Sequence, residues 1–140
     1  TSMKDESALG AVHYSLANIE NTGLSPSAFD VVVAAFVFHE CPSEARHRIL
    51  EESLRILAPG GTLAVLDIHT DFKPSEVILS GEPYLNGYLD NFEQDISDFA
   101  TRHAHQFLKA HRDVVSEDRL TLWHFHSKPL EAPPPFDIRK

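Results

Sequence analysis

The run VVVAAFVF, Val31 to Phe38, narrows what this chain can fold into more than any other stretch. It is apolar without alternation and rich in β-branched and aromatic side chains, which predicts a strand buried on both faces. The polar cluster His39-Glu40-Cys41-Pro42 ends it. From Pro42 to Leu57, residues Ile49, Leu50, Ser53, Leu54 and Leu57 fall on one helical stripe, with Arg48, Glu51, Glu52 and Arg55 on the other side. Pro42 suits the first helical position, Glu44 suits the first turn, and Pro59-Gly60-Gly61 stops the helix and turns the chain. Thr62 to Ile68 then predicts a second apolar strand. A connection of this length allows the two strands to pair in parallel, so the unit reads as a βαβ piece of an open α/β sheet.

In such sheets ligands collect at the carboxyl ends of the strands. Here those ends are His39 and Glu40 after the first strand, and Asp67, Ile68 and His69 after the second.

The remaining segments fit around that unit. Residues 1–10 carry no apolar period and are expected to form a flexible lead-in, Ala11 to Leu16 reads as a short strand, and Ala17 to Pro26 as a loop. After a loop at Thr70 to Pro74 comes a short helix near Ser75 to Leu79. Phe92, Ile96, Phe99, His103 and Phe107 then repeat at helical spacing, predicting a second sheet-covering helix from about Asn91 to Ala110 with Lys109 at its basic end. Asp113 to Ser116 and Arg119 to Ser127 predict a closing hairpin through Glu117-Asp118. In its second strand Thr121, Trp123 and Phe125 face one way and Leu122, His124 and His126 the other. The tail from Pro129 to Lys140, with its Pro133-Pro134-Pro135 run, cannot continue a ladder and is expected to be extended or disordered. One domain over residues 11–128 accounts for the 140 residues.

A formal net charge of −9 opposes nucleic-acid binding and adhesion to anionic membranes, since both need a basic face. The longest apolar run falls far below the roughly 20 residues that cross a bilayer as a helix. The single cysteine, Cys41, has no internal disulfide partner, and no signal pattern opens the sequence, so an intracellular, cytoplasmic setting is expected. Beside Pro42 at a helix start Cys41 has no partner for nucleophilic work, and an inert thiol is expected.

Several of these segments together carry a family resemblance. Ala28-Phe29-Asp30 leads into the apolar strand, Phe36-Val37-Phe38-His39 ends it, and the helix closes with Leu54-Arg55-Ile56-Leu57-Ala58-Pro59-Gly60-Gly61 before a strand ending in Asp67. In this order they resemble the class I S-adenosylmethionine (SAM)-dependent methyltransferases, particularly the small-molecule type called methyltransferase type 11, over its carboxyl-terminal two-thirds. The resemblance implies a partial Rossmann-like sheet, a parallel βαβ core with a C-terminal antiparallel hairpin, and SAM as cofactor. It implies that Asn18-Ile19 form an adenine edge, with Asn18 where the family usually has Asp, and that Ala34, Ala35 and Phe36 line the cofactor side. It also implies that the region of Tyr84 and Tyr88 contributes to an acceptor pocket; four residues apart, the two rings would share one side of a helical turn.

The family's glycine-rich loop, which follows the first strand and approaches the methionine end of SAM, has no counterpart here. The glycines before Asp30 are Gly10 and Gly23, neither after an apolar strand, and Gly60-Gly61 lies at the opposite edge of the sheet. The expectation is a truncated methyltransferase chain, inactive alone, for a small-molecule acceptor. Without the neighbouring strand of the cofactor half, Val31 to Phe38 becomes an edge open to a second chain, by aggregation or as a homodimer, or to Ala11 to Leu16 refolded into the vacant place. The alternative function is a noncatalytic module that pairs with a partner through this strand.

Methyl transfer to a hydroxyl or amine is helped by a base, and His is the usual choice near neutral pH. His39 and His69 are the candidate catalytic bases, with Asp67 available to orient one of them. A remoter alternative is a histidine-based metal binder. His124 and His126 share a strand face at about 7 Å, but a zinc site needs a third ligand, and His103 and His105 point to different sides of a helix, so no metal site is expected.

Overall fold

The computed structural model describes residues 10–117 and 119–131; the expected lead-in over 1–9 and the Pro-rich tail over 132–140 lie outside them. Strands β1 (Phe29–Ala35), β2 (Leu57–Ile68), β3 (Phe107–Val115) and β4 (Leu120–Ser127) form one sheet in the order β1-β2-β4-β3. β1 and β2 pair in parallel, with Val31 opposite Thr62 and Ala35 opposite Leu66, while β4 runs antiparallel to both β2 and β3. Helix α1 (Ser43–Ile56) connects the parallel pair; α2 (Glu76–Gly81) and α3 (Leu85–Arg102) lie between β2 and β3. The parallel βαβ unit and the closing hairpin are thus both present.

Helices α1 and α3 pack on one face of the sheet. That face contributes Leu63, Val65, Trp123 and Phe125 to the core, and the helices answer with Leu50, Phe92 and Phe99, among others. Aromatic rings interlock across the layer: Phe92 lies 4.9 Å from Phe38, 4.8 Å from Tyr88 and 5.1 Å, edge to face, from Trp123. The two helices are joined by a buried ion pair, Arg46 Nε to Asp95 Oδ2 at 3.1 Å, and Arg46 also donates to the Cys41 carbonyl. The core is therefore one-sided.

This corrects the expectation that Val31 to Phe38 is buried on both faces. Val31 and Val33 are 60% and 63% exposed, because among the described residues helices cover only the face that carries Val32 and Ala34. β1 is also an edge strand, as its position in the sheet order requires. Residues 11–16 do not fill the place beside it: they form no strand and are exposed, which rules out the refolded version of the edge.

Three further boundaries differ from expectation. β1 stops at Ala35 because Phe36 adopts φ +59°, a conformation that is a genuine outlier for a bulky residue. Its N–H still donates to Leu66 O at 2.8 Å; the chain then turns through a 3-10 segment, Phe38–Glu40, that drops Phe38 into the core. The Pro59-Gly60-Gly61 segment lies inside β2 rather than before it, and the pairing with β1 shifts register between Phe29 and Val31 to absorb it. At Gly61 a Cβ would meet Asp30 O at 2.7 Å and Ala58 O at 2.9 Å, so only glycine fits there. Finally, α3 ends at Arg102, and Phe107 to Ala110 begin β3 instead of continuing a helix. Phe107 fits the helical spacing, but its ring is buried against Phe99 at 5.7 Å and Phe125 at 5.2 Å, a position the sheet supplies. Lys109 therefore belongs to a strand, and Arg102 is the basic residue of the last helical turn.

The short helix expected near Ser75 is α2, capped by Ser75 Oγ accepting from Ile78 N–H. The expected alternation along β4 is present: Thr121, Trp123 and Phe125 are buried and Leu122, His124 and His126 half-buried. The hairpin turn uses left-handed Ser116 and Glu117, which suits the twist of the flanking strands. No helix among the described residues is long and apolar enough to cross a membrane.

Candidate active site

The parallel pairing of β1 and β2 brings their carboxyl ends side by side, and the turn after Phe36 aims residues 38–39 back across β2. Asp67, fully buried at the end of β2, sits beneath them. Its Oδ2 accepts from Phe38 N–H at 2.9 Å; its Oδ1 accepts from Ile68 N–H at 2.8 Å and lies 2.8 Å from His39 Nδ1. An ionised carboxylate can only accept, so this geometry puts the His39 proton on Nδ1 and leaves Nε2 with its lone pair. Nε2 points to the rim, 3.7 Å from Glu40 Oε1, on a side chain that is 14% exposed. His39 and Asp67 thus form an oriented pair with one free basic nitrogen.

His69 is placed differently. The strand-end loop holds it buried, with Nδ1 2.9 Å from Thr121 Oγ1, Nε2 3.4 Å from Asp71 Oδ2, and its N–H on the Arg119 carbonyl. No hydrogen bond joins it to His39 or Asp67 among the described residues. The place of Thr121, opposite Asp67 on β4, emerges only from the antiparallel register.

Tyr88 is fully buried in α3 with its hydroxyl donating to Ile68 O, and its ring meets the His39 ring edge-on at 6.3 Å. Burial, aided by the charges of Asp67 and Glu93, pushes its phenol far above the usual range, so it stays protonated. Tyr84 stands one turn before it at the N-cap of α3, its carbonyl accepting from Tyr88 N–H at 3.0 Å, and is 45% exposed where Tyr88 is buried.

On the cofactor side, Asn18 closes a small turn: its Oδ1 accepts from Glu20 N–H, and its carbonyl from Asn21 N–H. The turn is fastened to α1, where Glu52 accepts from both Thr22 N–H and Oγ1 and Arg48 donates to Glu20. This brings Ile19 against the outer edge of β1. Ile19, Val33, Ala34, Ala35 and Val37, with Ile49 of α1, line a groove of about 310 Å³. Ile19, Ala34 and Ala35 therefore meet in one apolar cleft, and Phe36, 44% exposed, lies next in sequence. Two larger depressions, of about 460 and 500 Å³, lie elsewhere, around Arg55 and Lys128 and around Arg48 and Arg102, away from the carboxyl ends of β1 and β2.

Cys41 Sγ donates to Val37 O, and burial, followed by the charge of Glu20, raises its thiol pKa. A raised pKa means less thiolate, which agrees with an inert side chain.

The sequence matches the family described as a methyltransferase domain over residues 2–65. No curated protein matches it. Among solved structures, an O-methyltransferase family protein from Burkholderia thailandensis aligns at 14% identity and TM-score 0.58, covering 84% of this chain and 36% of that one. Phosphoethanolamine N-methyltransferase 2 from Haemonchus contortus, in complex with SAM, aligns at 15% identity and TM-score 0.57 over 80% of this chain and 36% of that one. A SAM-dependent methyltransferase from Methanosarcina mazei gives 17% identity and TM-score 0.54, covering 89% of this chain and 71% of its own. The chain thus spans about a third of the length of the first two. In sequence over residues 2–65 this chain resembles the methyltransferase domain family, and in fold, over the larger part of its described residues, it resembles SAM-dependent methyltransferases.

Proposed function

We propose that this chain provides the acceptor side of a SAM-dependent methyltransferase for a small molecule, with His39 as the base and Asp67 as its positioning partner. The observation that carries the reading is the 2.8 Å contact between His39 Nδ1 and a buried Asp67 that also holds two backbone N–H groups. A carboxylate fixed in this way keeps the imidazole in one tautomer and stabilises the imidazolium once Nε2 has taken a proton.

Part of the cofactor would fit the residues present. The apolar groove beside β1 suits a flat ring such as adenine, held by Ile19, Ala34 and Ala35; Asn18, next to Ile19, is not among the residues that line it. Among the described residues nothing replaces the glycine loop for the methionine end, since Gly10 and Gly23 have open surroundings and Gly23 follows no strand. When bound, SAM supplies a methyl group already activated on a sulfonium, so the protein has only to align the acceptor, exclude water and remove a proton. His39 takes that proton from an acceptor hydroxyl or amine, and Asp67 steadies the resulting charge.

Titration calorimetry with SAM and its demethylated product tests the cofactor reading: binding to this chain alone is expected to be weak or absent, and micromolar affinity would contradict the assignment of the missing glycine loop. Nitrogen NMR of the imidazoles tests the base independently. The expected His39 tautomer at neutral pH carries its proton on Nδ1; a proton on Nε2 would remove the base.

A second reading has its own observation. The outer edge of β1 carries no paired strand among the described residues, and Val31 and Val33 stand exposed beside it, which favours pairing with another copy of the chain. Light scattering across a concentration series separates the two: a monomer throughout sinks the pairing and leaves the enzyme reading intact.

A further inference from the structure

On the face of the sheet opposite α1 and α3, β3 and β4 place three histidines together. His111 lies directly opposite His124, and His126 is the next residue of β4 on the same face. Their ring centroids are 5.1 Å (His111 to His124), 5.2 Å (His111 to His126) and 6.1 Å (His124 to His126) apart. One ligand nitrogen from each can be chosen so that all lie within 4.8 Å of one another. The third ligand beside the His124 and His126 pair comes from β3, which begins at Phe107 and carries His111.

We propose that His111, His124 and His126 bind a borderline divalent transition metal, of which zinc is the type case. In a tetrahedral zinc site with bonds of about 2.0–2.1 Å, neighbouring ligand nitrogens stand about 3.3 Å apart. His111 Nε2 and His126 Nε2 are already 3.2 Å apart, and a modest rotation of His124 completes the set.

The surroundings act as an outer shell. His126 Nδ1 lies 3.1 Å from Thr62 Oγ1, and His124 Nδ1 lies 3.8 Å from Asp113 Oδ2. The Thr62 contact holds the far nitrogen of His126 on an oxygen and turns its Nε2 towards His111, the arrangement that fixes tautomer and orientation in histidine metal sites, and the Asp113 carboxylate stands near the far nitrogen of His124. Water takes the fourth position. Lys109, opposite His126, stands beside the cluster, and Asp113 offsets it. Imidazole donors select zinc, nickel or copper over magnesium and calcium, which prefer oxygen.

The site is separate from the methyltransferase rim. Thr62 and Asp67 are five residues apart along β2, about 17 Å at strand rise, and point to opposite faces. The inference does not rest on the proposed activity.

The test uses the untagged chain and zinc chloride in competition with a chromogenic chelator. One zinc ion per chain is expected, with at least tenfold weaker binding in each of His111→Ala, His124→Ala and His126→Ala. Thr62→Ala and Asp113→Asn are expected to weaken binding about tenfold through the outer shell, and His13→Ala and His105→Ala to leave it unchanged. Cobalt substitution should give the intense visible bands of a four-coordinate ion. Should the alanine variants unfold, nickel-induced broadening of histidine ring signals in the unaltered protein provides the second readout, confined to these three rings. Absence of binding, binding unaltered in the triple variant, or broadening centred on other histidines would overturn the site.

Discussion

Replacing Asp67 with Asn probes the candidate site and the fold together. The carboxylate accepts three hydrogen bonds, from Phe38 N–H, Ile68 N–H and His39 Nδ1–H, at a fully buried position. An amide of the same shape has one acceptor oxygen. If that oxygen stays on Ile68 and His39, the new NH2 faces the Phe38 N–H; if it turns to Phe38, the NH2 faces Ile68 N–H and drives His39 to accept through Nδ1. Either orientation leaves a buried donor unmatched, which costs about 1–3 kcal/mol. With a urea slope of about 1–3 kcal/mol per molar, the unfolding midpoint should fall by about 1 M. The second orientation also moves the His39 proton to Nε2 and abolishes the base, while the first keeps it. Urea denaturation and imidazole nitrogen NMR on the same variant read the two effects. A midpoint unchanged from the parent, together with an unchanged His39 signal, would refute the claim that Asp67 organises this strand end.

Two further outcomes follow from the geometry. Gly61→Ala sets a methyl against the backbone oxygens of Asp30 and Ala58 at the crossing of β1 and β2, and is expected to cost about 1–3 kcal/mol as overpacking; thermal melting that is unchanged from the parent would contradict it. Hydrogen bonds from Arg55, then from Thr22, hold the Glu52 carboxyl at about 2, below the 4.5 of the free group. A lowered folded-state pKa gives stability that is complete above pH 4.5 and is lost as pH falls towards 2. Protection of the Thr22 amide should therefore fall across that window, and Glu52→Gln should flatten the dependence.

The sequence carried the parallel unit well, because each of its signals is local. Helical periodicity, Pro-Gly-Gly and an unbroken apolar run specify elements whose neighbours in the fold are their neighbours in the chain. The His39 and Asp67 pairing was legible for the same reason: both residues end strands joined by a single helix. Phe107 was misleading because its spacing satisfies a helix and a strand alike, and only the partner surfaces of Phe99 and Phe125 decide between them. Arg46 lies on a helix with no visible cue for burial; Asp95 of α3, which receives it, is 49 residues away. Tyr84 and Tyr88 stand one helical turn apart, as their spacing implies, but only the packing of α3 decides that Tyr88 is buried and Tyr84 exposed.

What the sequence determined alone was the order of elements, the parallel βαβ core, the alternation of β4 and the strand ends where chemistry would gather. All of these follow from periods of 2 and 3.6 residues and from turn chemistry acting over short range. Only the tertiary structure decided that, among the described residues, one face of the sheet is uncovered by helices, that His69 is pinned away from His39 by Thr121, and that His111 completes a histidine cluster with His124 and His126. Those outcomes depend on cross-strand register, which joins residues by hydrogen bonding between distant segments. A one-residue slip would move each of them to the other face.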